Sequence, residues 1–187
     1  MSVPLRIVLV GPECTGKTWL AGDLARHYGV PWAPEHARAY VERHGSALTF
    51  ADVAPIGRGQ EQGEDAAIAA ASAAGAPLVL LDTDLVSTAV YARHYYGECP
   101  AWIDERAARR RGDLYLLHDV DVEWQADGHQ REAPERRREL LARFETALAG
   151  LRARVAPVRG GWDERRRRAL EAIEALRAPG IARRTAR

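Results

Sequence analysis

The stretch LRIVLVGPECTGKT, residues 5–18, joins an apolar, β-branched run to a turn bounded by glycines. Residues 5–10 have the length and side chains of a strand buried on both faces. Gly11-Pro12-Glu13-Cys14-Thr15-Gly16-Lys17-Thr18 then fits G-x-x-x-x-G-K-[ST], the phosphate-binding P-loop. In such a loop the glycines let backbone N–H groups turn inward as an anion nest, and the following helix adds its positive end. Lys17 reaches the β- and γ-phosphates, and Thr18 offers a hydroxyl to Mg²⁺. The stretch predicts a nucleotide site built from Gly11, Glu13, Cys14, Thr15, Gly16, Lys17, Thr18 and Trp19, with Thr18 on the metal. A chance match is expected in about 4 of 10,000 sequences of this composition.

Outward from the loop, strand and helix signals alternate. Residues 17–28 read as a helix with Leu20, Leu24 and Tyr28 on one face, and residues 30–33 as a second short strand. Residues 50–74 read as an alanine-rich helix opened by a capping box at Thr49-Phe50-Ala51-Asp52, with Gly57, Gly59 and Gly63 weakening its first half. LVLL at 78–81 is a buried strand. Helices are expected at 85–95 and 102–111, a strand at 114–117, a helix at 134–151, a strand at 154–158 and a helix at 163–176. Short apolar strands spaced by helices predict a three-layer α/β fold around a central, mostly parallel sheet. No composition break divides the chain. It reads as a single domain over residues 1–178, with a lid at about 118–134 and a basic tail at 179–187.

Composition removes other classes. The 187 residues are 47% hydrophobic and 28% charged, which excludes a disordered chain. A net charge of +1 excludes a nucleic-acid binder dominated by phosphate contacts, although 26 of the 27 basic residues are arginine. Lys17 is the only lysine, so the guanine-reading N-K-x-D motif of an ordinary GTPase cannot be present. Cys14 and Cys99 form neither a disulfide framework nor a zinc pattern, and a reducing, cytoplasmic setting is expected. The longest uncharged run, residues 66–81, is too short to span a membrane, and the N-terminus lacks the basic start and cleavage site of a secretory signal. The expected partner is a small molecule, not nucleic acid or membrane; oligomeric state is left open.

Acids at strand ends come next. Ligands of a parallel α/β sheet sit beyond the carboxyl ends of its strands, so Asp82, directly after LVLL, is expected at the phosphates. There it would hold Mg²⁺ or accept a proton from an attacking hydroxyl. Asp84 either shares that work or caps the helix beginning near Leu85. Glu35 follows the second strand and Arg38 stands one turn later. They suit a substrate hydroxyl and a phosphate, or else form a surface ion pair. Residues 120–131, VDVEWQADGHQR, suit a cover that brings Arg131 to a transferring phosphoryl group. Trp32, Tyr95, Tyr96 and Trp124 would sandwich a flat, cationic heteroaromatic ring, unless they serve the core. The arginine runs 109–111 and 165–168 sit among glutamates and read as solvated helix faces. The candidate catalytic set is Lys17, Glu35, Asp82 and Arg131. Two classes fit: a small-molecule kinase using ATP and Mg²⁺, or a regulatory module that binds ATP without phosphorylating a metabolite.

GPECTGKT, Glu35-x-x-Arg38, Asp82-Thr83-Asp84 and Glu123-Trp124-x-x-Asp127-Gly128 form one ordered set. Over residues 5–176 this set resembles the ribosylnicotinamide kinase domain of the NadR type. The resemblance implies a P-loop kinase fold with a lid. It implies transfer of the ATP γ-phosphate to the 5′-hydroxyl of nicotinamide riboside, giving nicotinamide mononucleotide. It implies that Tyr95 stacks on the nicotinamide ring, and it brings Trp124 and Asp127 into a substrate set with Trp32, Glu35, Arg38, Asp82 and Asp84. There are three departures. An adenylyltransferase domain commonly precedes the kinase in NadR-type proteins, whereas this chain opens on the kinase strand, which implies a free-standing kinase. The usual D-G-x-R is here Asp127-Gly128-His129-Gln130-Arg131, one residue longer, and Pro34 stands where an aromatic precedes the glutamate.

Overall fold

The computed structural model describes residues 3–123 and 136–178. The chain runs β1 (Leu5–Val10), α1 (Lys17–Tyr28), β2 (Trp32–Ala33), α2 (His36–His44), a 3₁₀ turn (Phe50–Asp52) and α3 (Val53–Ala73). It continues as β3 (Leu78–Asp82), α4 (Leu85–Tyr96), α5 (Ala101–Arg109), β4 (Leu114–His118), α6 (Arg137–Gly150), β5 (Val155–Val158) and α7 (Trp162–Arg177).

The strands form one sheet in the order β2-β3-β1-β4-β5, with every pairing parallel. β3 and β4 are buried along their whole length, as two-sided apolar runs require. Helices α1 and α7 pack together on the sheet, while α3 covers β2 and β3 and joins α4, α5 and α6 in a second helical layer. The α/β architecture expected from the sequence is the observed one. The register pairs Leu9 with Asp82 and Val10 with Leu117, so the loop after β1 emerges beside Asp82 on one edge and His118 on the other. The connection out of β1 runs past β3 to β2, whereas the connection out of β3 crosses β1 the other way to β4, and a crevice opens at such a switch point.

Local chemistry explains where the sequence reading needed revision. Residues 30–33 give a strand of only two residues, Trp32–Ala33. Helix α2 was not expected: it has nine residues and none of them is buried, so it carries no apolar stripe. The helix expected at 50–74 forms behind its capping box, in which Asp52 accepts from the Thr49 N–H at 2.8 Å and hydroxyl at 2.9 Å. Its glycines do not break it. A Cβ on Gly59 would lie 2.1 Å from the His36 ring, so the missing side chain lets α2 dock on α3.

Among the described residues two arginines are buried, and one of them, Arg165, runs against expectation. The buried residues of α7 are Arg165, Ala169, Ile173 and Leu176, and those of α6 are Arg137, Leu140, Phe144 and Leu148. Each inward stripe starts with an arginine. Arg165 is therefore not on a solvated face but fully buried, while Arg167 and Arg168 pair with glutamates on the outside as read. Among the described residues, no helix is long and apolar enough to cross a membrane.

Candidate active site

The loop after β1 is held from behind. Arg137 Nη2 donates to the Cys14 carbonyl at 3.2 Å, and Arg165 Nη1 donates to the Thr15 carbonyl at 3.4 Å. His118 Nδ1 lies 2.9 Å from the same Thr15 oxygen, which can only accept, so this nitrogen carries the proton. Burial pushes the His118 imidazole down to about 3, and the ring stays neutral under Lys17 and Arg165. A trans peptide points its N–H opposite to its carbonyl. Drawing back the Cys14 and Thr15 carbonyls therefore aims the Thr15 and Gly16 amides forward. Gly16 needs its φ of 81°, and a Cβ there would meet the Trp162 ring at 2.3 Å. Gly11 stands behind the loop, against the His118 backbone. Lys17 is buried, and its ammonium donates to the Gly11 and Pro12 carbonyls at 3.0 and 2.8 Å.

Beyond the loop lies a cavity of about 540 Å³. Residues 13–19 form its floor, Glu35 and Arg38 one side, and Tyr91, Tyr95 and Tyr96 another. Tyr91 and Tyr95 are stacked at 6.1 Å, with 18° between their planes. Trp19 and Trp162 meet edge-on at 5.3 Å beside the loop, both about half exposed.

Asp82 is fully buried behind the floor, and its Oδ2 accepts from the Thr18 hydroxyl at 2.6 Å. Burial raises its pKa, while Lys17 and the Thr18 bond oppose the rise. Asp82 Oδ1 is buried without a hydrogen-bond partner. A hydroxyl and a carboxylate beside a phosphate cradle are hard oxygen donors of the kind Mg²⁺ takes with phosphates and waters, so the residues fit that ion. Among the described residues, no cluster of three or more His, Cys, Asp or Glu forms a separate metal cage. Glu35 is the N-cap residue of α2 but makes no side-chain cap bond. Burial lifts its carboxyl to about 7; Lys17 and Arg38 pull it down, and Asp82 and Glu13 push it up.

Two expected substrate residues lie elsewhere. Asp84 caps α4, accepting from the Val86 and Ser87 N–H groups at 2.9 and 3.3 Å and from the Tyr115 hydroxyl at 2.8 Å. Those bonds consume its oxygens away from the cavity. Trp32 sits in a shallow hollow with Ala25, Arg26 and Pro31, because the pleat of a two-residue strand turns it from the site. Trp124, Asp127 and Arg131 lie outside the described residues. Sequence reasoning missed His118, Arg137, Arg165, Trp162 and Gln60, of which the two arginines carried a signal, the helical stripe.

Residues 6–165 match the AAA domain family. This chain belongs to it. The trifunctional NAD biosynthesis/regulator protein NadR of Salmonella typhimurium (strain LT2) and that of Escherichia coli (strain K12) are each 29% identical to this AAA domain over 126 residues. The match covers 65% of the chain and 30% of each relative. A structure of NadR protein in complex with NR superposes with a TM-score of 0.75 at 28% identity. It covers 92% of this chain and 51% of its own. NadR protein in complex with NAD and AMP-PNP gives 0.78 at 26% identity, over 99% and 51%. Thymidylate kinase from Ehrlichia chaffeensis shares the fold, with a TM-score of 0.64 at 17% identity over 94% and 100% of the two chains. The AAA domain is thus a P-loop kinase fold spanning about half of the NadR chains it superposes on.

Proposed function

We propose that this AAA domain transfers the γ-phosphate of ATP to the 5′-hydroxyl of nicotinamide riboside, with residues 1–178 as the catalytic unit. The observation that carries this reading is one cavity holding a P-loop, a glutamate that makes no cap bond and a tyrosine wall. The NadR complexes with NR and with AMP-PNP, of like fold, support it. Lys17 and the loop amides hold the β- and γ-phosphates. Thr18 and Asp82 hold Mg²⁺, which neutralises charge on the phosphate oxygens. Glu35 receives the 5′-hydroxyl proton: a carboxyl poised near 7 matches the pH at which a general base works best. Tyr91, Tyr95 and Tyr96 frame the cationic ring through their faces. Arg131, outside the described residues, is our candidate for the positive charge over the transferring group.

The test is direct. The protein is incubated with ATP, Mg²⁺ and a panel of ribosides, and ADP and the phosphorylated product are measured. Nicotinamide riboside should give stoichiometric ADP and nicotinamide mononucleotide. No ADP above background with it rejects this substrate.

A further inference from the structure

Gln60 is 2% exposed, lines the cavity, and has no part in the chemistry above. Its amide is fully engaged. Nε2 donates to the Thr83 carbonyl at 3.2 Å and to Glu64 Oε1 at 3.4 Å, while Oε1 accepts the His36 N–H at 3.0 Å. The orientation is fixed chemically, since a carbonyl cannot donate and an N–H cannot accept.

The His36 bond concerns the catalytic glutamate. His36 is the first residue of α2, and the first N–H groups of a helix have no partner inside it. The N-cap side chain, here that of Glu35, accepts from the second or third helical N–H and does not serve the first. The His36 N–H, which belongs to the Glu35–His36 peptide, is taken by Gln60 reaching across from α3, and the Glu35 side chain makes no cap bond of its own. Its neighbour Gly59 leaves the room in which the His36 ring sits. The other end of the same amide grips Thr83, the residue after Asp82, which is held in a left-handed conformation at φ 72°. One side chain thus ties the start of the Glu35 helix to the end of the Asp82 strand.

We infer that Gln60 is a positioning residue that sets Glu35 against the Asp82 strand end, and with it the line from acceptor hydroxyl to γ-phosphate. This rests on the kinase reading above. Gln60→Leu keeps the volume and removes every bond. Its kcat should fall by at least about tenfold, since misplacement of about 1 Å can cost that or more. The KM for ATP should stay within about twofold, because the P-loop is untouched.

Gln60→Glu gives the sharper test. Only a protonated glutamic acid can both donate to Thr83 and accept from His36. Around it stand Glu64 and Asp84, the Arg110 paired with Glu64, the His36 ring and Glu35 itself. The variant should therefore be active while residue 60 is protonated and lose kcat as it ionises. A descending limb would appear that the parent lacks. Parent-like kcat in Gln60→Leu, or a parent-like pH profile in Gln60→Glu, overturns the inference even if melting temperatures drop. Should Gln60→Leu fail to fold, the Gln60→Glu profile decides alone. A parent protein inactive on nicotinamide riboside overturns the kinase reading first, and this inference with it.

Discussion

Glu35 is held near 7 by burial, and that has consequences for activity and for stability. A base must be ionised, so kcat/KM should rise with pH through an apparent pKa near 7 and level off above it. Glu35→Gln should lose about 10²–10⁴-fold in turnover. The stability effect has the opposite sign. The folded value lies above the ordinary 4.5, so the native state holds this proton more tightly than the unfolded chain. That contribution is full below about pH 4.5 and is lost as pH rises through about 7. Relative to the parent, Glu35→Gln should thus gain melting temperature between pH 5 and pH 8, and a constant difference would refute the shift. Lys17→Ala should cost well over about 1.4 kcal/mol, or tenfold, in kcat/KM, and near-parental turnover would sink the P-loop assignment. Lys17, Thr18, Asp82 and Glu35 were legible from the sequence because a motif or a strand end fixes each of them. For Asp84 the sequence left ligand and cap open, and the structure gives the cap; Trp32 was not legible, since the pleat direction of a two-residue strand depends on geometry that composition does not carry.

Helix α7 separates two kinds of arginine within four consecutive residues. Arg165 donates to the carbonyls of Gly160, Val158, Thr15 and Asp119 and pairs with the Asp121 carboxylate. Its neighbour Arg166 pairs at 2.7 Å with Asp23 of α1 and is partly exposed. The Asp121 end of the Arg165 ion pair is exposed, but the Thr15 and Val158 carbonyls are buried, and leaving a buried acceptor without its donor costs about 1–3 kcal/mol each, whereas exposed pairs contribute about 0–1 kcal/mol. Arg165→Ala should therefore shift urea unfolding by several times the effect of Arg166→Ala, and it should also weaken ADP binding by releasing the Thr15 carbonyl. Equal shifts would mean that Arg165 serves only as surface charge. The run of four arginines concealed this, because charge alone reads as solvated; the spacing 165, 169, 173, 176 is where it was visible. No such spacing marked α2. Its nine residues bury nothing, and it is held by Gly59 and Gln60 of another helix.

In the whole molecule the two proposed ligands meet across β1 from different sides. The nucleotide end rests on the β1 loop, α1 and Trp162 of α7, while the acceptor end rests on α2, α3 and α4. A parallel sheet was evident from its apolar strands, but the order β2-β3-β1-β4-β5 arises from crossovers that no local pattern encodes. That order makes ligand-linked stability the natural test of the molecule as a unit. A ligand at 100 times its Kd stabilises the native state by about 2.7 kcal/mol. For a chain of this size each kcal/mol raises Tm by about 2–4 °C, so saturating Mg·ADP should add roughly 5–11 °C. Chelation of the metal should remove part of that shift, and Asp82→Asn should make the shift insensitive to chelation. Nicotinamide riboside added to the Mg·ADP complex should raise Tm further, because its proposed contacts on α2 and α4 are not those of the nucleotide. If the riboside instead cancels the ADP shift, the two compete for one end of the cavity, and the division of the site between the two halves of the sheet is wrong.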